Sequence, residues 1–235
     1  MRWSHAFLDL VLSFARRVAE TGQMPIEEAL RISTPLYLNV GPGRSFDPLH
    51  PVWQEFLAGY RQAPDPVAWA HSFYAARARE YPASPYGCFS HHYEPETRCI
   101  RFHFANRGGS EPGPLSTECE PARRRELSAM FADIRRDLPE AEAVRGRSWM
   151  YHLPAYCRLF PPEYGLGAVV VEPELQFMSL WGQFLDRRWD LRPGPAGLFR
   201  ERIATARTLD AVLGSFPLSV LAPRCHIDPF YAFYG

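Results

Sequence analysis

VRGRSWMYHLPAYCRLFPP, residues Val144 to Pro162, joins an extended segment to a short helix across a polar corner. Val144 follows Leu138-Pro139, a helix-ending pair, so a new element starts there. Residues 144–149 carry no helical apolar period, and a β-branched start with an aromatic end predicts a short strand. From Leu153 the pattern changes. Tyr156, Leu159 and Phe160 lie three and four residues apart and share one face of a short helix. Pro154 fits its first turn, where a missing N–H costs nothing, and Pro161-Pro162 stop it. The corner holds Arg147, Ser148, Tyr151 and His152 beside Trp149. Free N–H groups and the partial positive charge of a helix start would suit an anion or a carbonyl oxygen there. The plainer alternative makes Trp149, Tyr156 and Phe160 core and Arg147 a solvated charge.

Upstream, Cys88 to Phe104 reads as a β-hairpin around Pro95-Glu96. The expected register sets Tyr93 opposite Arg98, His92 opposite Cys99 and Cys88 opposite His103. One face then carries Phe89, His91, Tyr93, Ile100, Phe102 and Phe104 and is buried. The other carries Cys88, Ser90, His92, Cys99, Arg101 and His103, with thiols facing imidazoles. Imidazole and thiolate ligate zinc and iron. Cys88 and His92, however, lie about 13 Å apart along a strand, so one ion would take a single opposed pair. No metal is favoured. The same pairs have the register of a cysteine nucleophile and its base, although buried free cysteine is common packing. His226-x-Asp228 has the look of a base with an orienting carboxylate, in a C-terminal aromatic segment that reads as docking into the core.

Further out, the first eighty residues are mostly helical. Helices are expected at residues 4–20, from Pro25, from Pro51, and from Asp65-Pro66 to about Arg79, and Gly41-Pro42-Gly43-Arg44 is a loop. Tyr81 to Gly87 is a proline-rich bridge. After the hairpin, Asn106 to Pro114 reads as a loop, and Thr117 with Glu120 as the capping box of a helix to about Leu138. Ala168 to Val171 reads as a short buried strand. Glu172-Pro173 opens a long helix to about Asp190, and another covers about Pro195 to Leu213. The predicted fold class is α+β: a helical N-terminal half, residues 1–85, packed on a small mixed, mainly antiparallel sheet with flanking helices, residues 86–235.

The 235 residues suffice for one large domain or two intimate subdomains, and a 46% apolar content is that of a globular chain. Formal net charge is zero, so no general basic field draws in nucleic acid. All 26 basic residues are arginine, which removes amine Schiff-base chemistry and the Walker lysine. The 5 cysteines form no C-x-x-C pair and no secreted disulfide framework. The apolar run Ala6 to Ala15 is broken by Asp9 and followed by Arg16-Arg17, so neither signal peptide nor membrane span is expected, and the cytoplasm is the default.

From the hairpin onward the expected order is β-β-α-β-α-β. Within it, IRFHFANRGGSEPGPLS (Ile100 to Ser116), a helix, then GRSWMYHLPAYCRLFPP resemble the C-terminal domain of certain bacterial GNAT-like proteins. Those carry an I-x-L-H-I-P strand, an L-S helix start and an H-S-W-L-L strand end, matched here by His103, Leu115-Ser116 and Ser148-Trp149. The superfamily's Q/R-x-x-G-x-G/A loop is absent, and Arg107-Gly108-Gly109 stands in its place. The resemblance implies a GNAT-like core and acyl-CoA as cofactor, with an amine or hydroxyl of a small molecule or peptide as acceptor. Arg107, Gly108, Gly109, Ser116 and Thr117 would receive the pyrophosphate. His103 or His92 would take the acceptor's proton, Tyr151 would protonate the leaving thiolate, and Arg101, Arg147, Ser148, Trp149 and His152 would line the substrate side. A ligand slot would open between the strand tips near Phe104 and Trp149. Two other classes remain: a non-catalytic ligand- or peptide-binding accessory protein, and a metal-dependent enzyme using the hairpin histidines.

Overall fold

A computed structural model describes residues 3–78, 83–106, 111–172, 175 and 179–235. The chain is α+β. In order it forms α1 (His5–Gly22), α2 (Ile26–Ser33), α3 (Leu36–Asn39), α4 (Pro51–Gln62), α5 (Pro66–Arg77), β1 (Phe89–Glu94), β2 (Cys99–Phe104), α6 (Glu120–Asp137) and β3 (Ala143–Arg145). Then follow α7 (Pro154–Cys157), α8 (Pro162–Leu166), β4 (Val169–Val171), α9 (Pro193–Thr205), α10 (Leu209–Leu213), β5 (Val220–Ala222), β6 (Arg224–His226) and α11 (Asp228–Tyr234). Two compact units result, residues 1–80 with 173–219, and residues 81–172 with 220–235. The segment 173–219, expected with the second half, thus groups with the helical first one. No described helix is long and apolar enough to cross a membrane.

In the helical unit, α1 is the hub, packing against α2, α5, α9 and α10. Ser4 Oγ caps it by accepting the Phe7 N–H at 3.3 Å, and Phe7, Leu8, Val11, Phe14 and Val18 are fully buried. Arg17 donates to the carbonyls of Ile203 (3.1 Å) and Ala206 (2.6 Å), which satisfies the end of α9. The long helix expected to reach Asp190 does not form among the described residues. Trp181–Phe184 is one 3-10 turn, with residues 173, 174 and 176–178 outside the described set. Beyond it the Asp186 carboxylate accepts the N–H groups of Arg188 (2.7 Å) and Asp190 (3.0 Å), a local alternative to helix. Trp181 and Phe184 are buried all the same. The helix expected over residues 195–213 is split in two, because Thr208 caps a new start at the Ala211 N–H.

Helices α4 and α5 meet at Gly59. A Cβ there would fall within the Trp69 ring, whose indole N–H donates to the Phe56 carbonyl at 3.0 Å.

In the second unit the sheet order is β1-β2-β3-β6, with β2 and β3 parallel and the other pairs antiparallel. The hairpin register differs from expectation by two residues: Phe89 faces Phe104, His91 faces Phe102 and Glu94 faces Cys99. The turn Pro95–Thr97 closes with Arg98 at φ 48°, one step longer than a tight loop. An even slip keeps every side chain on its expected face. It does separate the thiols from the imidazoles, since Cys99 lies opposite Glu94 and Cys88 bonds to Ala105. Among the described residues strand β4 pairs with β5 alone, and its Val169 and Val170 are exposed rather than buried. One face of the four-stranded sheet, the inward face, packs Phe89, Ile100, Phe102 and Val144 against Leu127, Met130, Phe131 and Ile134 of α6 and Phe230 of α11.

Replacing Gly59 by Ala should destabilise the fold by about 1–3 kcal/mol through overpacking. Urea melts of the two proteins measure it, and an unchanged midpoint would show that Trp69 does not rest on this position.

Candidate functional site

The parallel pair β2–β3, joined through α6, comes apart at its C-terminal end. Pairing stops at Arg101 and Arg145. Strand β2 stays with β1 as far as Phe104, while the chain after β3 follows residues 221–223. Gly146 N–H donates to the Pro223 carbonyl (3.0 Å), and Ser148 exchanges two backbone bonds with Leu221 (3.0 and 3.1 Å). The two strands therefore share one sheet and fork, and the carboxyl end of parallel strands is where open sheets place ligands.

The inward side of that fork is closed. A Cβ on Gly146 would meet the hydroxyls of both Tyr151 and Tyr164. Those hydroxyls bond each other at 2.9 Å, and Tyr156 bonds to Tyr151. Phe102 packs against Phe160 and Tyr164, and Phe104 against Tyr156. The expected slot between the strand tips is thus filled with aromatic rings on the core side. Burial, first of all, pushes the phenols of Tyr151, Tyr156 and Tyr164 well above their ordinary range. Tyr151 belongs to this sealed cluster rather than to a polar corner.

The outward face gathers most of the remaining predicted residues. By register, His92, Arg101, Arg145 and Arg224 stand side by side across four strands. His103 lies two residues along β2, and Arg147, on the same side as Arg145, donates to the Glu172 carbonyl at 3.5 Å. His92, His103, Arg145 and Arg224 are exposed, and Arg101 is half-buried. Glu94 pairs with Arg145. Burial alone would raise the Glu94 pKa, but the Arg145 hydrogen bond and charge, with Arg101 and His92 behind, outweigh it and hold the carboxyl below its usual value. Beneath these side chains Cys99 is fully buried, and burial raises its thiol pKa. The Cys225 thiol is pushed up to about 11, burial again coming first. Neither suits a nucleophile.

Other expected residues serve the backbone. Arg107, Gly108 and Gly109 lie outside the described residues. Helix α6 begins at Glu120, past Ser116 and Thr117, and the capping box does not form. Arg124 and Arg158 take the Glu120 carboxylate instead (2.9 and 2.8 Å), and Ser116 Oγ accepts the Cys119 N–H at 3.4 Å. Ser148 Oγ accepts the Met150 N–H at 3.1 Å, closing the short turn Trp149–His152, so this corner offers no long helix start to an anion. Trp149 is half-buried and His152 exposed. Pro161-Pro162 end one helical segment but also open α8. His226 and Asp228 form an exposed ion pair at 3.0 Å, while Phe230 of the same segment is buried.

Among the described residues, no group of three or more His, Cys, Asp and Glu side chains could hold a metal ion. No protein-family model matches the chain, and neither curated proteins nor solved structures give a significant match. Arg145, Arg224 and Tyr164 were not singled out by the sequence. Alternation of Arg145 with Arg147 was a visible signal for the first, but Arg224 joins the row only through the pairing of β6 with β3.

His91, on the inward face opposite Phe102, has a buried Nδ1 without a hydrogen-bond partner. Burial lowers its pKa, against the pull of Asp133. The folded state therefore resists protonation. Its contribution is complete above the unfolded value of about 6.5 and is lost as pH falls below that value and through the lower folded one. Urea melts from about pH 7 to 5 should show declining stability that is shallower in His91→Leu. Equal slopes would clear His91 of this role.

Proposed function

We propose that the protein is a non-catalytic accessory protein that holds an anionic small molecule or peptide on the outward face of its sheet. One observation carries this reading: the basic row of His92, Arg101, Arg145 and Arg224, assembled from four strands, in which all but the half-buried Arg101 are exposed. A guanidinium offers bidentate donors to phosphate or carboxylate, so adjacent arginines suit a multiply charged ligand. The other side of the fork supports the absence of chemistry. Tyr151 lies on the face away from His92 and His103, and its phenol pKa stands well above the ordinary value. Such a phenol donates a hydrogen bond but gives its proton to a thiolate, whose thiol pKa is about 8.5, only uphill.

A second reading, an acyl-CoA-dependent acyltransferase acting on an amine or hydroxyl, is favoured by the parallel pair that parts beyond Arg101 and Arg145. With the inward side closed, the thioester would enter from the outward face. His103 or His92 would take the acceptor's proton, and the turn at Ser116 and Thr117 would face the pyrophosphate.

Thiol release from acetyl-CoA, measured against a panel of amine and hydroxyl acceptors, separates the two. The binding reading predicts background release that His103→Ala leaves unchanged. Release above background that falls about 100-fold or more in His103→Ala would establish a general base and overturn it.

A further inference from the structure

Helices α6 and α11 of the second unit frame an open cleft of about 410 Å³. Ser128, Ala132, Arg135 and Arg136 line it from α6 and Tyr231 and Tyr234 from α11, together with Phe131 and Gly235. Residues 128, 132 and 135 lie four and three positions apart, so they form one stripe of α6. The stripe runs beside the apolar face of Leu127, Met130, Phe131 and Ile134 that packs on the sheet. At its centre stands Ala132, exposed and too short to fill the space. The α11 side is held in place. Ser128 Oγ donates to the Tyr234 carbonyl at 3.0 Å, and Phe131 stacks on Tyr234 with ring centres 5.3 Å apart and meets Tyr231 edge-on at 6.5 Å. A preformed cleft of this size, with an aromatic lining and a few polar groups, has the make-up of a small-molecule site.

The charges at its rim select the ligand. Arg136 is held by Asp133 (2.7 Å) and Asp137 (2.8 Å). Asp228, at the start of α11, pairs with His226 at 3.0 Å. Arg135 lies over the Tyr231 ring, 5.1 Å from its centre, and among the described residues it forms no ion pair. Its guanidinium can offer two parallel N–H donors to a carboxylate. A monoanion satisfies it, whereas a dianionic phosphate would set a second negative charge near Asp133 and Asp137. The lining favours a ring over an alkyl chain, because aromatic pairs gain offset and edge contacts beyond the area they bury.

We propose that this cleft binds a small aromatic monocarboxylate, its carboxylate on Arg135 and its ring on the floor made by Ala132, Tyr231 and Tyr234. Helices α6 and α11 cover the inward face of the sheet, so the site is separate from the outward row and does not depend on it.

The test is calorimetric titration of the full chain with sodium 2-naphthoate, beside hexanoate and 2-naphthalenemethanol. Saturable binding of naphthoate is expected, weakened about tenfold or more by Arg135→Gln, which removes the ion pair, and by Ala132→Leu, which fills the cleft. Hexanoate and the neutral alcohol should each bind about tenfold or more weaker than naphthoate. Arg200→Gln, a change in the helical unit, should leave binding unchanged. Thermal melts establish that each variant is folded, and naphthoate should protect α11 amides from hydrogen exchange without any substitution. No saturable binding, or binding that Arg135→Gln leaves intact, would overturn the proposal. Equal affinity for hexanoate or for the alcohol would overturn the ligand class. Protection confined to β2 and β3 would place the ligand on the outward row, overturning this site and leaving the binding reading above in place.

Discussion

The contact of the Tyr151 and Tyr164 hydroxyls with Gly146 governs the second unit. Gly146 lies where β2 and β3 part, and its missing side chain is what lets two phenols reach the fork from the inward side. The hydroxyls bond each other, and neither is among the buried side-chain atoms left without a partner. Around them Phe102, Phe160 and Phe230 fill the space that a ligand would need. A sheet closed on this face can do its recognition only on the other.

That division sets the chemistry. Strand alternation puts Ile100 and Phe102 into the core and Arg101 and His103 outward, and the parallel pairing carries the same alternation into β3. The antiparallel return of β6 then brings Arg224 beside Arg145. A basic row therefore appears on one face of a chain with no net charge, and the Glu94 carboxylate pairs with its Arg145. The groups suited to holding an anion lie outward, the groups with raised phenol pKa lie inward, and one strand thickness keeps them apart.

Much of this was legible in the sequence because it is local. Ser4, Asp65 and the proline openings fixed helix starts, and the alternation in Cys88 to Phe104 sorted the hairpin's two faces correctly even though its register slipped. The slip is understandable: the turn is set by Arg98 in the left-handed region, a conformation arginine does not announce. The lost capping box has a non-local cause, since Arg158, distant in sequence, competes for Glu120. The pairing of β6 with β3, and with it Arg224's place in the row, depends on a strand of three residues after Pro223, too short to carry a period of its own. Tyr164 lay hidden behind a double proline that reads as a stop but serves as the start of α8.

Closure of the inward face can be measured by following phenol ionisation in ultraviolet absorbance while circular dichroism reports the fold. Raised phenol pKa values stabilise the folded state below the unfolded value of about 10, and that contribution is lost as pH rises above it toward the raised folded values. If Tyr151, Tyr156 and Tyr164 are sealed, part of the signal from the 11 tyrosines appears only as the dichroism collapses. Ionisation of every phenol while the dichroism stays native would mean that the fork is open on its inward side, contradicting the arrangement on which the outward-facing site depends.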